Sequence, residues 1–447
     1  MQSFVRKVAT MSSSKRSFSR LSAADAGRRA EALAKQQSEV KSTKLATCVS
    51  HAGIQGIPNA PMAPPIHVAT TYTRPADGIY REDDTIYARE DNPTRLLLER
   101  NIFQLETIGL KLDDASKQSE PTSWAFSSGM MACTAVVLAH STPLTIMFHG
   151  DLYHGVPTLM AEVFSRHNVT VKRVDMTVPA AIVEEISKVD SKSQVIVWME
   201  SPSNPKCEVI DIAAVTGALK SITTHEITTV VDVTMASPIV TRPLEFGADI
   251  AMHSGTKYLA GHSDALLGVL TSSPMTTRGK ELGIKLKEVQ VMTGGVASPW
   301  DSWLTLRGIR TLQVRVERQS QTAQFLTEQL SRHPLVTAVH YPGLASHPFH
   351  HVAKSQMATF GGVFSMELED EAIATAFVAA LQTVQRATSL GGTETLIEHR
   401  ASIEPPARRT SPPGLLRVSV GLEDKDDLWL DFQQALAIAQ KVMEESA

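Results

Sequence analysis

Gln194-Val195-Ile196-Val197-Trp198-Met199 is an apolar run of strand length, rich in β-branched residues, that ends at Glu200-Ser201-Pro202. Similar runs follow: Ile227 to Val231 ending at Asp232, Asp249 to Met252 ending at His253-Ser254, and Ala265 to Leu270. Among them Ala180 to Val189 and Asp211 to Leu219 carry helical spacing. Strands and helices in alternation predict an α/β fold with a mostly parallel sheet. Sheets of this kind bind ligands beyond the carboxyl ends of their strands. Polar residues that directly follow the apolar runs are therefore the functional candidates.

Outward from this region the pattern changes. Ser302 to Leu330, with apolar positions at Trp303, Leu306, Ile309 and Leu312, predicts one long helix. Leu335 to Tyr341, Gly362 to Glu367 and Leu415 to Val420 predict strands; Glu371 to Val384 and Lys425 to Met443 predict helices. These elements suit a smaller α+β domain. The chain has 447 residues, beyond the roughly 250–300 over which one core keeps growing, so two or more domains are expected.

With 43% hydrophobic and 20% charged residues the composition is that of a globular protein. A net charge of -4 does not mark a nucleic-acid binder. Cys48, Cys133 and Cys207 lie far apart and form neither a disulfide framework nor a CxxC metal site. The histidines of Ser346-His347-Pro348-Phe349-His350-His351 are too scattered for a metal reading, and no metal is expected. No apolar run reaches the roughly 18 residues of a membrane span. Residues 1–24 carry Arg6, Lys7, Lys15, Arg16 and Arg20 without an acid and are serine-rich, which suits a mitochondrial or plastid transit peptide; otherwise a cytoplasmic location is expected. Ala23 to Lys41 reads as an exposed helix or linker.

The stretch Met252-His253-Ser254-Gly255-Thr256-Lys257-Tyr258 places a lysine after a hydroxyl-rich turn at a strand end. An amine with a lowered pKa can act as a nucleophile and base and condense with an aldehyde cofactor. Most lysines are solvated surface charges, so the neighbours decide. Asp232 ends the preceding strand, and a carboxylate there would keep a pyridine nitrogen protonated. Phe126-Ser127-Ser128-Gly129-Met130 precedes a helical stretch, and helix-start N–H groups bind phosphate.

Together with further motifs, these residues resemble the Cys/Met-metabolism family of pyridoxal-phosphate enzymes, from about Leu45 to the C-terminus. The motifs are Tyr87-Ala88-Arg89, Asn92-Pro93-Thr94, Asp151-Leu152-Tyr153, Glu200 to Pro205, Val231 to Thr234, His253 to Asp264, Gly294-Gly295, Ser389 to Gly392 and Leu416 to Gly421. The resemblance implies the type I fold of pyridoxal-phosphate-dependent transferases. Residues 1–44 would be an extension, 45–103 an arm contacting a neighbouring subunit, 104–307 the large cofactor-binding domain and 308–447 the C-terminal domain. It implies pyridoxal 5'-phosphate as cofactor, held by Lys257 as a Schiff base, with Asp232 on the pyridine nitrogen and Asn204 on the phenolic oxygen. Tyr153 would stack on the ring and move protons. The phosphate would meet Ser128, Gly129, Met130, Thr234, Ser254 and Thr256. Tyr87 and Arg89 would reach the phosphate of the neighbouring subunit, which implies a homodimer or a homotetramer of two dimers. Ser389 and Arg417 would bind substrate, the arginine through its α-carboxylate.

The implied function is a carbon–sulfur lyase of transsulfuration, acting on cystathionine or a related thioether in cysteine and methionine metabolism. The alternatives are cystathionine γ-synthase, methionine γ-lyase and an inactive cofactor-binding paralogue. The sequence departs from the family at four places, the first being Val233, where asparagine is common after the aspartate. Thr388 replaces a glutamate common before Ser-Leu-Gly, Thr158 replaces an arginine common five residues after the tyrosine, and Glu398 to Pro413 suggests a remodelled loop at the pocket mouth.

Overall fold

A computed structural model of the chain describes residues 44–54, 60–81, 84–112, 122–404 and 411–446. The transit-peptide and linker readings of the N-terminal residues fall outside these.

The apolar runs become strands of a seven-stranded sheet: β1 Ser123–Phe126, β2 Leu144–Phe148, β3 Val169–Arg173, β4 Gln194–Glu200, β5 Ile227–Asp232, β6 Ile250–Ser254 and β7 Gly268–Ser272, in the order β1-β7-β6-β5-β4-β2-β3. All neighbouring pairs are parallel except those of β7, which runs against both β1 and β6. Both faces are buried, and the side chains divide with a period of two. On β4, Val195, Val197 and Met199 enter one apolar core, while Ile196 and Trp198 enter the core on the other face. Burying each such aliphatic side chain stabilises the fold by roughly 1.5–3 kcal/mol.

A second sheet contains β8 Val336–His340, β9 Val363–Leu368, β10 Gln385–Arg386, β11 Leu396–His399 and β12 Leu415–Ser419, in the order β10-β11-β12-β9-β8. Its core joins Phe364, Leu416 and Val418 to Leu326, Phe377 and Phe432 from the helices Leu312–Leu330, Glu371–Ala380 and Lys425–Ser446. Among the described residues no helix is long and apolar enough to cross a membrane.

Two helices differ from expectation. The long helix predicted over Ser302 to Leu330 is two, Pro299–Ile309 and Leu312–Leu330. Buried Arg315 donates from Nη2 to the carbonyls of Gly308 (2.9 Å) and Tyr258 (3.0 Å). A Cβ at Gly308 would lie 2.1 Å from the Ala260 carbonyl oxygen. The helices bend where they press on the segment after Lys257. The helix predicted to reach Val384 stops at Ala380, because the Asp431 carboxylate accepts from the backbone N–H groups of Gln382, Thr383 and Val384.

Close backbone packing also shapes the cleft beside β7. A Cβ at Gly268 would stand 2.4 Å from the Ser128 carbonyl oxygen and 2.7 Å from the Gly129 Cα, both backbone atoms. Gly268→Ala is expected to destabilise the protein by about 1–3 kcal/mol, the usual cost of overpacking. A lowered urea midpoint with an unchanged slope checks this.

Candidate active site

Beyond the carboxyl ends of β4, β5 and β6 lies a cavity of about 500 Å³. It brings together Ser128, Gly129, Met130, Tyr153, Asn204, Asp232, Thr234, Ser254, Thr256, Lys257, Ser389 and Arg417. Tyr87 and Arg89 are not in its wall. They lie at the surface, 44% exposed for Tyr87, with the Arg89 guanidinium 5.8 Å from the Tyr87 ring and donating to the Val291 carbonyl at 2.8 Å.

One end of the cavity is a helix start. In Gly129–Leu138, the Ser128 hydroxyl caps Met131 N–H at 3.0 Å. Helix geometry leaves the Gly129 and Met130 N–H groups without intrahelical partners, and they suit an anion. Gly129 keeps this end open, because a Cβ there would sit 3.2 Å from Ser254 Oγ. Thr256 is already engaged: its hydroxyl donates to Leu267 O (3.2 Å) and accepts from Leu267 N–H (3.1 Å). Thr234 braces the region, its N–H donating to Asp232 Oδ1 at 2.9 Å and its Oγ1 accepting from Ser254 N–H at 2.8 Å.

Asp232 and Glu200 are register partners on β5 and β4 and are both buried. Burial raises both carboxyls. Glu200 is raised well above its ordinary value, by burial and then by the neighbouring Asp232. Hydrogen bonds from Thr234 pull Asp232 the other way. Burial and the neighbouring carboxyl thus weigh more on Glu200 than on Asp232. Glu200 also accepts the backbone N–H of Tyr153 at 2.8 Å and that of Asn204.

Lys257 lies in the loop between β6 and β7. Its Nζ donates to Ser389 Oγ at 2.7 Å. Burial, and then the Arg417 cation, push its amine below the usual lysine range. Ser389 has φ 91°, a left-handed conformation that residues with a Cβ rarely adopt. Its carbonyl accepts from Arg417 Nη2 at 2.9 Å. Arg417 Nη1 donates to Asn204 Oδ1 at 3.0 Å, which leaves the Asn204 amide nitrogen as a donor face. Arg417 Nη2 also bonds Glu398, its register partner on β11.

An amine, a buried carboxylate and a helix start with open N–H groups fit a phosphorylated pyridine aldehyde such as pyridoxal 5'-phosphate. Lys257 would hold the aldehyde carbon, Asp232 the ring nitrogen, and Gly129, Met130 and Ser254 the phosphate.

Sequence reasoning assigned no role to Glu200, Glu398 or Arg400, all in the cavity wall. Glu200 was open to the rule used for Asp232, a polar residue ending an apolar strand. Glu398 lies in the short strand β11, and only its pairing with β12 reveals its partner.

The Cys/Met metabolism PLP-dependent enzyme family matches residues 46–437. The chain is 36% identical to cystathionine gamma-lyase of Bacillus subtilis (strain 168), over 88% of this chain and 99% of that protein. To cystathionine beta-lyase of Lactococcus lactis subsp. cremoris (strain MG1363) it is 37% identical, with coverage of 88% and 99%. A crystal structure of cystathionine gamma synthase from Xanthomonas oryzae pv. oryzae, in complex with aminoacrylate and cysteine, superposes with a TM-score of 0.80 at 33% identity, covering 89% of this chain and 99% of that one. Sequence and architecture agree, and the chain belongs to the Cys/Met metabolism family of pyridoxal-phosphate-dependent enzymes.

Proposed function

We propose that this enzyme is a carbon–sulfur lyase of transsulfuration, acting on cystathionine or a related thioether amino acid by β- or γ-elimination. The observation that carries the reading is the Lys257–Ser389–Arg417 connection. It places a base of lowered pKa beside a guanidinium suited to an amino acid's α-carboxylate. A substrate anchored on Arg417 would present its Cα–H to Lys257.

Pyridoxal phosphate, when bound, supplies an electron-withdrawing ring that acidifies the Cα proton. Lys257 takes that proton. The Ser389 hydroxyl orients the amine, and Asp232 keeps its charge opposite the ring nitrogen. Tyr153, whose phenol burial holds above its ordinary value, retains its proton and can donate it to a departing sulfur. Glu200 fixes the backbone of Tyr153 and Asn204. Elimination from Cγ would use the same residues after a second proton is removed from Cβ. Tyr87 and Arg89, exposed and outside their own cavity, would complete the phosphate site of a second copy, so the proposed functional unit is at least a homodimer. The structural likeness to a cystathionine gamma synthase favours, as second reading, γ-replacement on an activated homoserine in the same cavity.

Incubation of the cofactor-loaded protein with L-cystathionine tests the lyase reading. Pyruvate with homocysteine identifies β-elimination, and 2-oxobutyrate with cysteine γ-elimination; release of neither keto acid from cystathionine or from other thioether amino acids would overturn the reading. Lys257→Ala is expected to reduce turnover by about 10²–10⁴-fold, the scale of general acid–base catalysis, with an unchanged circular dichroism spectrum. Wild-type turnover in that variant would remove Lys257 from the chemistry. Only the deprotonated amine attacks an aldehyde, and a lowered pKa moves that form to lower pH. The rate at which apoprotein combines with pyridoxal phosphate should therefore rise with pH and level off below the usual lysine pKa of about 10.4. A rise centred on the ordinary value would contradict the environment described for Lys257.

A further inference from the structure

The cavity wall contains a second arginine that the mechanism does not use. Arg400 follows β11 at the start of the short helix Arg400–Ile403, and its side chain is 3% exposed. Nη1 donates to Glu398 Oε1 at 2.5 Å, and Nη2 lies 3.5 Å from Glu404 Oε1. Its buried Nε–H has no acceptor among the described residues, and the same is true of Arg417 Nε. Buried N–H groups are nearly always satisfied, so an orphan in a pocket wall points to a ligand. Two such guanidinium groups face one cavity. The substrate's α-carboxylate accounts for Arg417 and leaves Arg400.

The position of Arg400 indicates what it reads. Glu398 stands between the arginines, bonding Arg417 with one oxygen and Arg400 with the other. Arg417 bonds Ser389, which holds the Lys257 amine, whereas Arg400 pairs with Glu404 on the far side of Glu398. Arg400 thus lies one carboxylate further along the cavity from Arg417. Positions 158 and 388, where the family commonly carries an arginine and a glutamate, are threonines here. Thr388 lines the cavity without a charge, and Thr158 is not in its wall. Arg400 supplies the cation that those positions lack.

We infer that Arg400 determines specificity at the far end of the substrate, donating its Nε–H to a distal carboxylate, so that dicarboxylic thioether amino acids are preferred over those with uncharged tails. A tail without an acceptor would leave the Nε–H orphaned, and sites built for a polar group reject analogues that lack it. This deepens the lyase reading and rests on it for the reaction, but recognition is measurable without cleavage.

The test titrates cofactor-loaded enzyme with L-2-aminoadipate and L-norleucine, followed by the cofactor's absorbance. These amino acids have equal chain length and no leaving group, and differ in ending on a carboxylate or a methyl. Wild type should bind the dicarboxylate about tenfold or more tightly, the scale of a charge-assisted hydrogen bond. Arg400→Met and Arg400→Lys should lose that preference, with 2-aminoadipate affinity falling by about tenfold more than norleucine affinity; because Glu398 is shared with Arg417, any effect through the α-carboxylate site weakens both ligands alike. The lysine variant keeps a cation beside Glu398, so it separates loss of the Nε–H from release of Glu398 onto Arg417. Equal weakening of both ligands in both variants would mean that Arg400 acts only through Arg417, and would overturn the inference. Absence of any preference in wild type would overturn it even if cystathionine is cleaved, and that comparison holds if a variant fails to fold. A preference that the variants abolish upholds it even if cystathionine is not cleaved.

Discussion

Lys257 reaches Ser389 across 132 residues of sequence, from the loop after β6 to the segment that leads into β11. An ammonium taken partly out of water loses hydration, and here a guanidinium adds repulsion. A hydroxyl acceptor offsets some of that loss without supplying the full charge that would hold the proton. The contact keeps the amine in place, while burial and Arg417 keep it weakly basic. Because Ser389 also bonds Arg417, and Arg417 bonds Asn204 beyond β4, the same connection links the two sheets. Arg315 clamps the other side of the lysine loop through the Tyr258 carbonyl.

Buried charge in the cavity is arranged in alternating signs. Arg417, Glu398, Arg400 and Glu404 form a line of paired ions, which low-dielectric surroundings require. Asp232 and Glu200 stand side by side with no cation between them among the described residues, and burial raises both carboxyls. A cationic ring would be the missing partner of Asp232. The cavity thus has a carboxylate prepared for a cation at one end and guanidinium groups prepared for carboxylates at the other.

Much of this arrangement was legible in the sequence. Strands buried on both faces are written as continuous apolar runs, so β4, β5 and β6 were placed to within a few residues. Lys257, Asp232 and Asn204 follow strand ends, and their meeting in one cavity follows from parallel topology. What escaped reading depends on tertiary contact. The break near Arg310 arises because a helix otherwise continuous in its periodicity presses on the Leu259 and Ala260 carbonyls. The early stop at Ala380 is imposed by Asp431, some fifty positions later. Glu398 and Arg400 fall in a short strand and helix, where no periodicity develops, and only cross-strand register brings Glu398 to Arg417.

Ser389 adopts its left-handed backbone at a cost of about 1–3 kcal/mol. Glycine would relieve that cost and lose the hydroxyl on which the Lys257 amine rests. At this position stability and activity therefore select for different residues. A search for heat-resistant variants that monitored folding alone would be drawn toward replacing this serine, and selection for turnover would restore it.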